Sequence, residues 1–207
     1  MKILAISDIH SNKKLIKKLE DIIQKENPDL IIIAGDISFF NEESPKVFGY
    51  LKKFNKKIFF VPGNHEDPSL AELWEKKYDI ENIHKKIIDL GEIVLAGIGG
   101  GNVPIFSLTE EEIKEYLKDI EKYFKNKNKI RILVTHVHPQ YTISSKFAEG
   151  SKEIFEFIKK VKPDIVIHGH IHEAGGIVEK IYDTLIINVS EKPKIIEIDE
   201  KKNIKVK

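Results

Sequence analysis

Ile3-Leu4-Ala5-Ile6-Ser7-Asp8-Ile9-His10 decides how this chain must be read: an apolar run breaks abruptly into an acid and an imidazole. The same pattern returns four times. Leu30 to Ala34 runs into Gly35-Asp36, Ile58 to Val61 into Pro62-Gly63-Asn64-His65, Ile130 to Val134 into Thr135-His136-Val137-His138, and Ile165 to Ile167 into His168-Gly169-His170-Ile171-His172. Short continuous apolar runs of this kind suit strands buried on both faces of a parallel sheet. In open α/β sheets, ligands bind beyond the carboxyl ends of such strands. Five runs that each end in metal-binding side chains therefore describe an active site.

Between the runs the period changes to that of helices. Leu15, Ile16, Leu19, Ile22 and Ile23 recur at helical spacing after Ser11 or Asn12, either of which can cap the segment, up to Asn27-Pro28. Pro45 to Phe54, Pro68 to Tyr78, Ser151 to Val161 and a segment reaching Phe124 read likewise, the last opened by a capping box of Thr109 and Glu112. Strands are expected over Asp29 to Ala34, Lys57 to Val61, Arg131 to Thr135 and Asp164 to Ile167, with a hairpin about Asp89-Leu90-Gly91-Glu92 and short strands from Ile177 to Val206. The expected class is α/β: a four-layer αββα sandwich of two mixed sheets packed face to face, helices outside. One domain, residues 1–207, is expected, because no linker, repeat or low-complexity stretch divides the chain.

Composition excludes several chemistries. Lysine plus arginine total 34 against 33 acids, a net charge of +1, so no bulk pull toward nucleic acid or anionic membrane is encoded. The single arginine, Arg131, leaves bidentate phosphate clamps almost unavailable. With no cysteine, oxygen and imidazole are the only metal donors, which suits hard or borderline divalent ions. The apolar start breaks at Asp8, too early for a signal segment, and no window approaches a membrane span, so a cytoplasmic location is expected.

In order, D-x-H, G-D, G-N-H-E, T-H and G-H-x-H, each directly after an apolar run, resemble the calcineurin-like metallophosphoesterase superfamily over Asp8 to His172. Gly97 to Pro104, leading into Thr109-Glu110-Glu111-Glu112, further resembles its small Icc-related branch of cyclic-nucleotide phosphodiesterases. The resemblance implies two divalent ions about 3.5 to 4 Å apart. Asp8, His10 and His172 would hold one, Asn64, His136 and His170 the other, and Asp36 would bridge them. Manganese is the expected ion in vitro, with Fe, Zn, Ni or Mg compatible with the donors. The implied reaction is attack of a metal-bound hydroxide on a phosphoester, with His65 as general acid and Asp36 orienting it.

Phosphodiesters are expected over monoesters: arginines stand beside the G-D and G-N-H motifs in protein-dephosphorylating relatives, whereas here Ile37-Ser38 and Glu66-Asp67 occupy those places. The partner is thus a small, nucleotide-like phosphoester. Phosphomonoester hydrolysis, nuclease action and a non-catalytic metal-binding scaffold are the alternatives. Glu66 and Asp67 are expected to cap the helix at Pro68, His138 and His168 to brace the ligand rings, Trp74 to anchor a helix, and His84 to be solvated. For Gly97 to Gly101 two readings stand: a backbone that approaches the phosphate, or a tight hairpin end.

Overall fold

The computed structural model describes residues 1–42, 45–103 and 105–207, the side chains of Pro45 and Lys46 excepted. In chain order the elements are β1 (Lys2–Ile6), α1 (Lys13–Glu26), β2 (Leu30–Ala34), α2 (Pro45–Lys52), β3 (Lys57–Val61), α3 (Pro68–Tyr78), β4 (Glu81–Asn82), β5 (Ile87–Asp89), β6 (Ile93–Ile98), α4 (Glu110–Tyr123), β7 (Ile130–Thr135), α5 (Lys152–Val161), β8 (Ile165–His168), β9 (Val178–Ile181), β10 (Thr184–Asn188), β11 (Lys194–Ile198) and β12 (Ile204–Val206). One sheet runs β12-β11-β1-β2-β3-β4 and the other β5-β6-β7-β8-β10-β9, six strands each. Both are mixed. β1 to β4 and β6, β7, β8 and β10 pair parallel, while β11, β12, β5 and β9 run antiparallel at the flanks.

Strand side chains alternate between faces, so each run of β-branched residues feeds two cores. Ile3, Ala5, Leu30, Ile32 and Ala34 point inward against Leu95, Ile132, Val134, Ile165 and Ile167 of the other sheet. Their neighbours Leu4, Ile6, Ile31, Ile33 and Phe60 point outward, under Leu15 and Leu19 of α1, Phe48 of α2 and Trp74 of α3. On the opposite face, Val94, Leu133 and Val166 pack under Ile113 and Leu117 of α4 and Phe157 of α5. Four layers result, as the apolar pattern predicts.

The expected caps are in place. Asn12 accepts from the N–H groups of Lys14 and Leu15, Thr109 and Glu112 close a reciprocal capping box, and Ser151 opens α5. Arg131 is buried, 6% exposed, and its guanidinium is consumed by Asp164 at 2.9 Å and by the carbonyls of Phe124, Val161 and Lys162. It ties the ends of α4 and α5 to the start of β8. The chain's one arginine is a structural clamp and cannot reach a phosphate.

Candidate metal centre

The carboxyl ends of β1, β2 and β3 in one sheet and of β7 and β8 in the other open toward the same crevice, and the loops beyond them are stitched together by backbone bonds. Asp8 N donates to Gly35 O at 3.0 Å, His10 N to Asp36 O at 3.1 Å, and Gly169 N to His136 O at 3.1 Å. Two glycines allow the sheets to approach this closely. A Cβ on Gly35, which also has φ +94°, would overlap the His136 ring, and one on Gly169 would overlap Ser7 Oγ. Without them the two halves of the crevice could not meet.

Within it Asp36 Oδ2 lies 3.4 Å from His136 Nε2, 3.7 Å from His10 Nε2 and 3.8 Å from His65 Nε2. Asp8 Oδ1 lies 3.1 Å from His172 Nε2 and 3.9 Å from His10 Nε2. Asn64 Oδ1 is 3.0 Å from His136 Nε2. Among the described residues three overlapping triads arise, each with donor atoms mutually within 4.8 Å: Asp8, His10 and His172; His10, Asp36 and His65; Asp8, Asp36 and His136. Oxygen and nitrogen lone pairs converge on one small volume.

The ring orientations fit a cation. His136 Nδ1 faces Ala34 O at 2.8 Å and His10 Nδ1 faces Ser38 O at 3.0 Å, so each ring gives its Nδ1 proton to a backbone carbonyl. Each Nε2 is then left with its lone pair toward the carboxylates, the tautomer a metal ligand needs. His170 Nε2 donates to Asn102 Oδ1 at 3.1 Å, which leaves its Nδ1 as the free donor atom. His170 falls outside the three triads, but its ring stands 5.1 Å from that of His136 and its backbone N–H donates to Asp8 Oδ2 at 3.0 Å.

Burial alone would raise the acids and lower the imidazoles, and mutual attraction reverses this at the centre. Despite burial, His136 and the hydrogen bond from His172 hold Asp8 below the usual carboxylate range, and His136 does the same to Asp36. His136, against its own burial, is raised to about 10 by Asp36 and Asp8. The hydrogen bond to Asp8 raises His172. His170 is pushed down to about 4 by burial and by the charge on His136, and burial with the neighbouring imidazoles also lowers His65. The donors by themselves hold a positive charge at His136, the place where a metal cation would substitute for a proton.

Several local expectations are corrected. The donors do not sit on strand backbone: β1 ends at Ile6, and Asp8, His10, Asp36 and His170 all have left-handed backbones, φ 56°, 44°, 53° and 73°. Such conformations cost about 1–3 kcal/mol each and cluster where function requires them. Glu66 caps nothing. Asp67 alone caps α3, while Glu66 is fully buried and accepts from Gly63 N (2.7 Å), Asp36 N (3.0 Å), Ser38 N (2.8 Å) and Ser38 Oγ (2.9 Å). It clamps the G-D loop to the G-N-H loop, and burial and Asp36 raise it to about 7. Glu66→Ala should lower stability by about 3 kcal/mol, since three buried N–H donors lose their acceptor; a urea melt at pH 8 that shifts by under about 1 kcal/mol contradicts this clamp.

His84 is half-buried and hydrogen-bonded rather than freely solvated. Its Nδ1 accepts from Gly99 N at 2.8 Å, Phe106 and Tyr116 flank the ring, and burial lowers it to about 4. His138 and His168 bond backbone carbonyls, of Ala148 and Gly169, and brace no ligand ring through a hydrogen bond among the described residues. The glycine run neither forms a hairpin end nor bares its backbone to the crevice: Gly100 N donates to Pro62 O, and Gly101 packs on Asn64, so the run supports the G-N-H loop. Pro104 lies outside the described residues. The rings of Phe39 and Phe40, which the motifs did not flag, stand beside His10 and His65; two adjacent aromatics after G-D-I-S were the available signal.

A model of the calcineurin-like phosphoesterases matches residues 1–174. The chain belongs to that family. An uncharacterized protein of Methanocaldococcus jannaschii is 30% identical over the whole of this chain and 95% of its own length. The 3′,5′-cyclic adenosine monophosphate phosphodiesterase CpdA of Haemophilus influenzae is 25% identical over 80% of this chain and 62% of its own. The solved structure of a novel archaeal phosphodiesterase has the same fold, with a TM-score of 0.59 and 20% identity over 100% of this chain and 99% of its own. These likenesses agree with the Icc-related branch of the calcineurin-like family, whose members hydrolyse phosphoric esters. Among the described residues no helix is long and apolar enough to cross a membrane.

Proposed function

We propose that this calcineurin-like phosphoesterase uses two divalent cations to hydrolyse small phosphodiesters. The reading rests on one observation above all: His136 Nε2, its ring proton committed to Ala34 O, faces both Asn64 Oδ1 and Asp36 Oδ2 in a buried crevice. Asp8, His10 and His172 would hold one cation, Asn64, His136 and His170 the other, and Asp36, reached by the imidazoles of both sets, would serve the two together. When bound, such ions supply an acidified water as nucleophile and positive charge for the phosphate oxygens. Manganese is the ion proposed for assay. The proposed unit is the whole chain as one domain, since Ile3 and Ile198 from its two ends share the inter-sheet core.

The chain's own residues do the rest. His65 Nδ1 accepts from Phe40 N at 3.3 Å, so the neutral ring carries its proton on Nε2 and would stabilise the departing ester oxygen by a hydrogen bond from the place where the family's general acid stands. Asp36 Oδ1 accepts from His65 N at 3.0 Å and so sets the loop that carries that ring. A diester, with one negative charge, is favoured because Arg131 is consumed by Asp164 and Glu66 by backbone donors, which leaves neither motif loop an arginine clamp for a dianion. With manganese added, kcat/KM on bis(p-nitrophenyl) phosphate should exceed that on p-nitrophenyl phosphate by at least about tenfold, a gap of about 1.4 kcal/mol. The reverse order overturns the diester preference, and hydrolysis of neither ester overturns the reading itself.

A further inference from the structure

Phe39 and Phe40 stand 48% and 53% exposed at the rim of a crevice whose floor, Asp8, Asp36, Asn64 and His136, is buried. Exposed large aromatics set side by side need a reason, since burying each would remove on the order of 150–250 Å² from water. Their rings form an edge-to-face pair with centroids 4.6 Å apart. Phe39 lies 5.8 Å from the ring of His10 and 5.2 Å from that of His65, and Phe40 lies 4.3 Å from His65. The aromatic surface is therefore continuous with the Asp36, His10 and His65 triad, on the side where an ester group would leave.

The backbone holds this pair in place. Phe40 and Asn41 both have left-handed backbones, φ 51° and 59°, which is uncommon for a bulky aromatic residue. Loop 39–42 is pinned in that shape: Asn41 N donates to His65 O at 3.0 Å, Asp67 N to Asn41 Oδ1 at 2.7 Å, and Phe39 bridges Glu42. A loop free to relax would fold these rings onto the protein surface. Instead the turn is tied to the same His65–Asp67 segment that carries the acid and the α3 cap, which fixes the rings relative to His65.

We infer that Phe39 and Phe40 form a preorganised platform that takes a planar aromatic ester group of the substrate, face against ring, and so select aryl or nucleobase-bearing diesters over small alkyl ones. This rests on the proposed diesterase reading for the placement of the phosphate. Stacking on an aromatic side chain is worth about 1–3 kcal/mol, enough for tenfold or greater selection. The ester group would complete the wall that His10 and His65 begin and would shield His65 Nε2 from water.

Binding of phosphinates, whose two organic groups are held through P–C bonds and cannot be hydrolysed off, tests the platform without turnover. With the manganese-loaded protein, calorimetry should give benzyl(methyl)phosphinate a Kd about tenfold tighter than ethyl(methyl)phosphinate. In the double variant Phe39→Ala/Phe40→Ala this preference should fall below about twofold, chiefly through weaker binding of the benzyl compound. Phe39→Leu/Phe40→Leu, which keeps apolar bulk, should recover only part of it. No preference in the wild-type protein, or full preference in either double variant, overturns the platform. Hydrolysis of bis(p-nitrophenyl) phosphate is followed separately: turnover without aryl preference refutes the platform alone, whereas aryl preference without turnover refutes the diesterase reading alone.

Discussion

Asp36→Asn will lower kcat/KM for phosphodiester hydrolysis by at least about a thousandfold, the scale at which a single electrostatic contact to the reacting centre is lost. Among the described residues no other carboxylate meets three imidazole nitrogens, as Asp36 does at 3.4, 3.7 and 3.8 Å, while also accepting from a backbone N–H of the G-N-H loop. An amide keeps the shape and tolerates the left-handed backbone at φ 53°, so the fold should survive. Its charge is gone, and with it the attraction that holds positive charge between two sheets. Without added metal the melting temperature should fall, because His136 loses one of the two anions that hold its charge between the sheets. The stabilisation that manganese confers should vanish. A variant that retains more than a tenth of the wild-type rate would remove Asp36 from the centre of the mechanism.

Chelation carries the second large effect, and its pH dependence has a definite sign. Manganese at about a hundred times its Kd should raise stability by about 2.7 kcal/mol, or roughly 5–10 °C in melting temperature for a chain of this size, and EDTA should reverse it together with all activity. His136 is raised to about 10 in the fold by Asp36 and Asp8, against an ordinary value near 6.5. The folded, chelated protein thus binds a proton that the unfolded chain releases. That contribution is fully present below about pH 6.5 and declines by about 1.4 kcal/mol per unit as pH rises toward 10. A cation competes with that same proton, so its affinity should rise nearly tenfold per pH unit between 7 and 9. The gap in melting temperature between loaded and chelated protein must therefore widen with pH. Calorimetry in buffers of different ionisation enthalpy should also find about one proton released on binding. A gap that narrows from pH 6.5 to 8.5 would contradict the assignment of His136.

Much of this site is legible in one dimension because strands in a doubly layered sheet are nearly continuous apolar runs, and the residues directly after each run must lie at the carboxyl end of its strand. Asp8, Asp36, Asn64, His136 and His172 were visible for that reason. The four-layer fold followed from the same periodicity, with caps at Asn12, Thr109 and Ser151 marking three of the helices. Position along the chain carries no information about depth, however. Glu66 and Asp67 are adjacent acids before a proline: one turns outward to cap α3, and the other turns inward to saturate three backbone donors. His84, directly before Lys85-Lys86 in sequence, packs edge-on against Phe106 and Tyr116.

By itself, then, the order of residues determined which groups can reach the crevice, because alternating burial and strand ends are local properties. Only the tertiary structure decided how they face one another. The left-handed turns at Asp8, His10, Asp36 and His170, the tautomers imposed by Ala34 O and Ser38 O, and the ring pair at Phe39 and Phe40 all depend on contacts between segments distant in the chain. Those contacts form once the two sheets close over a shared core, and glycine at positions 35 and 169 lets the closure bring backbone and imidazole into contact.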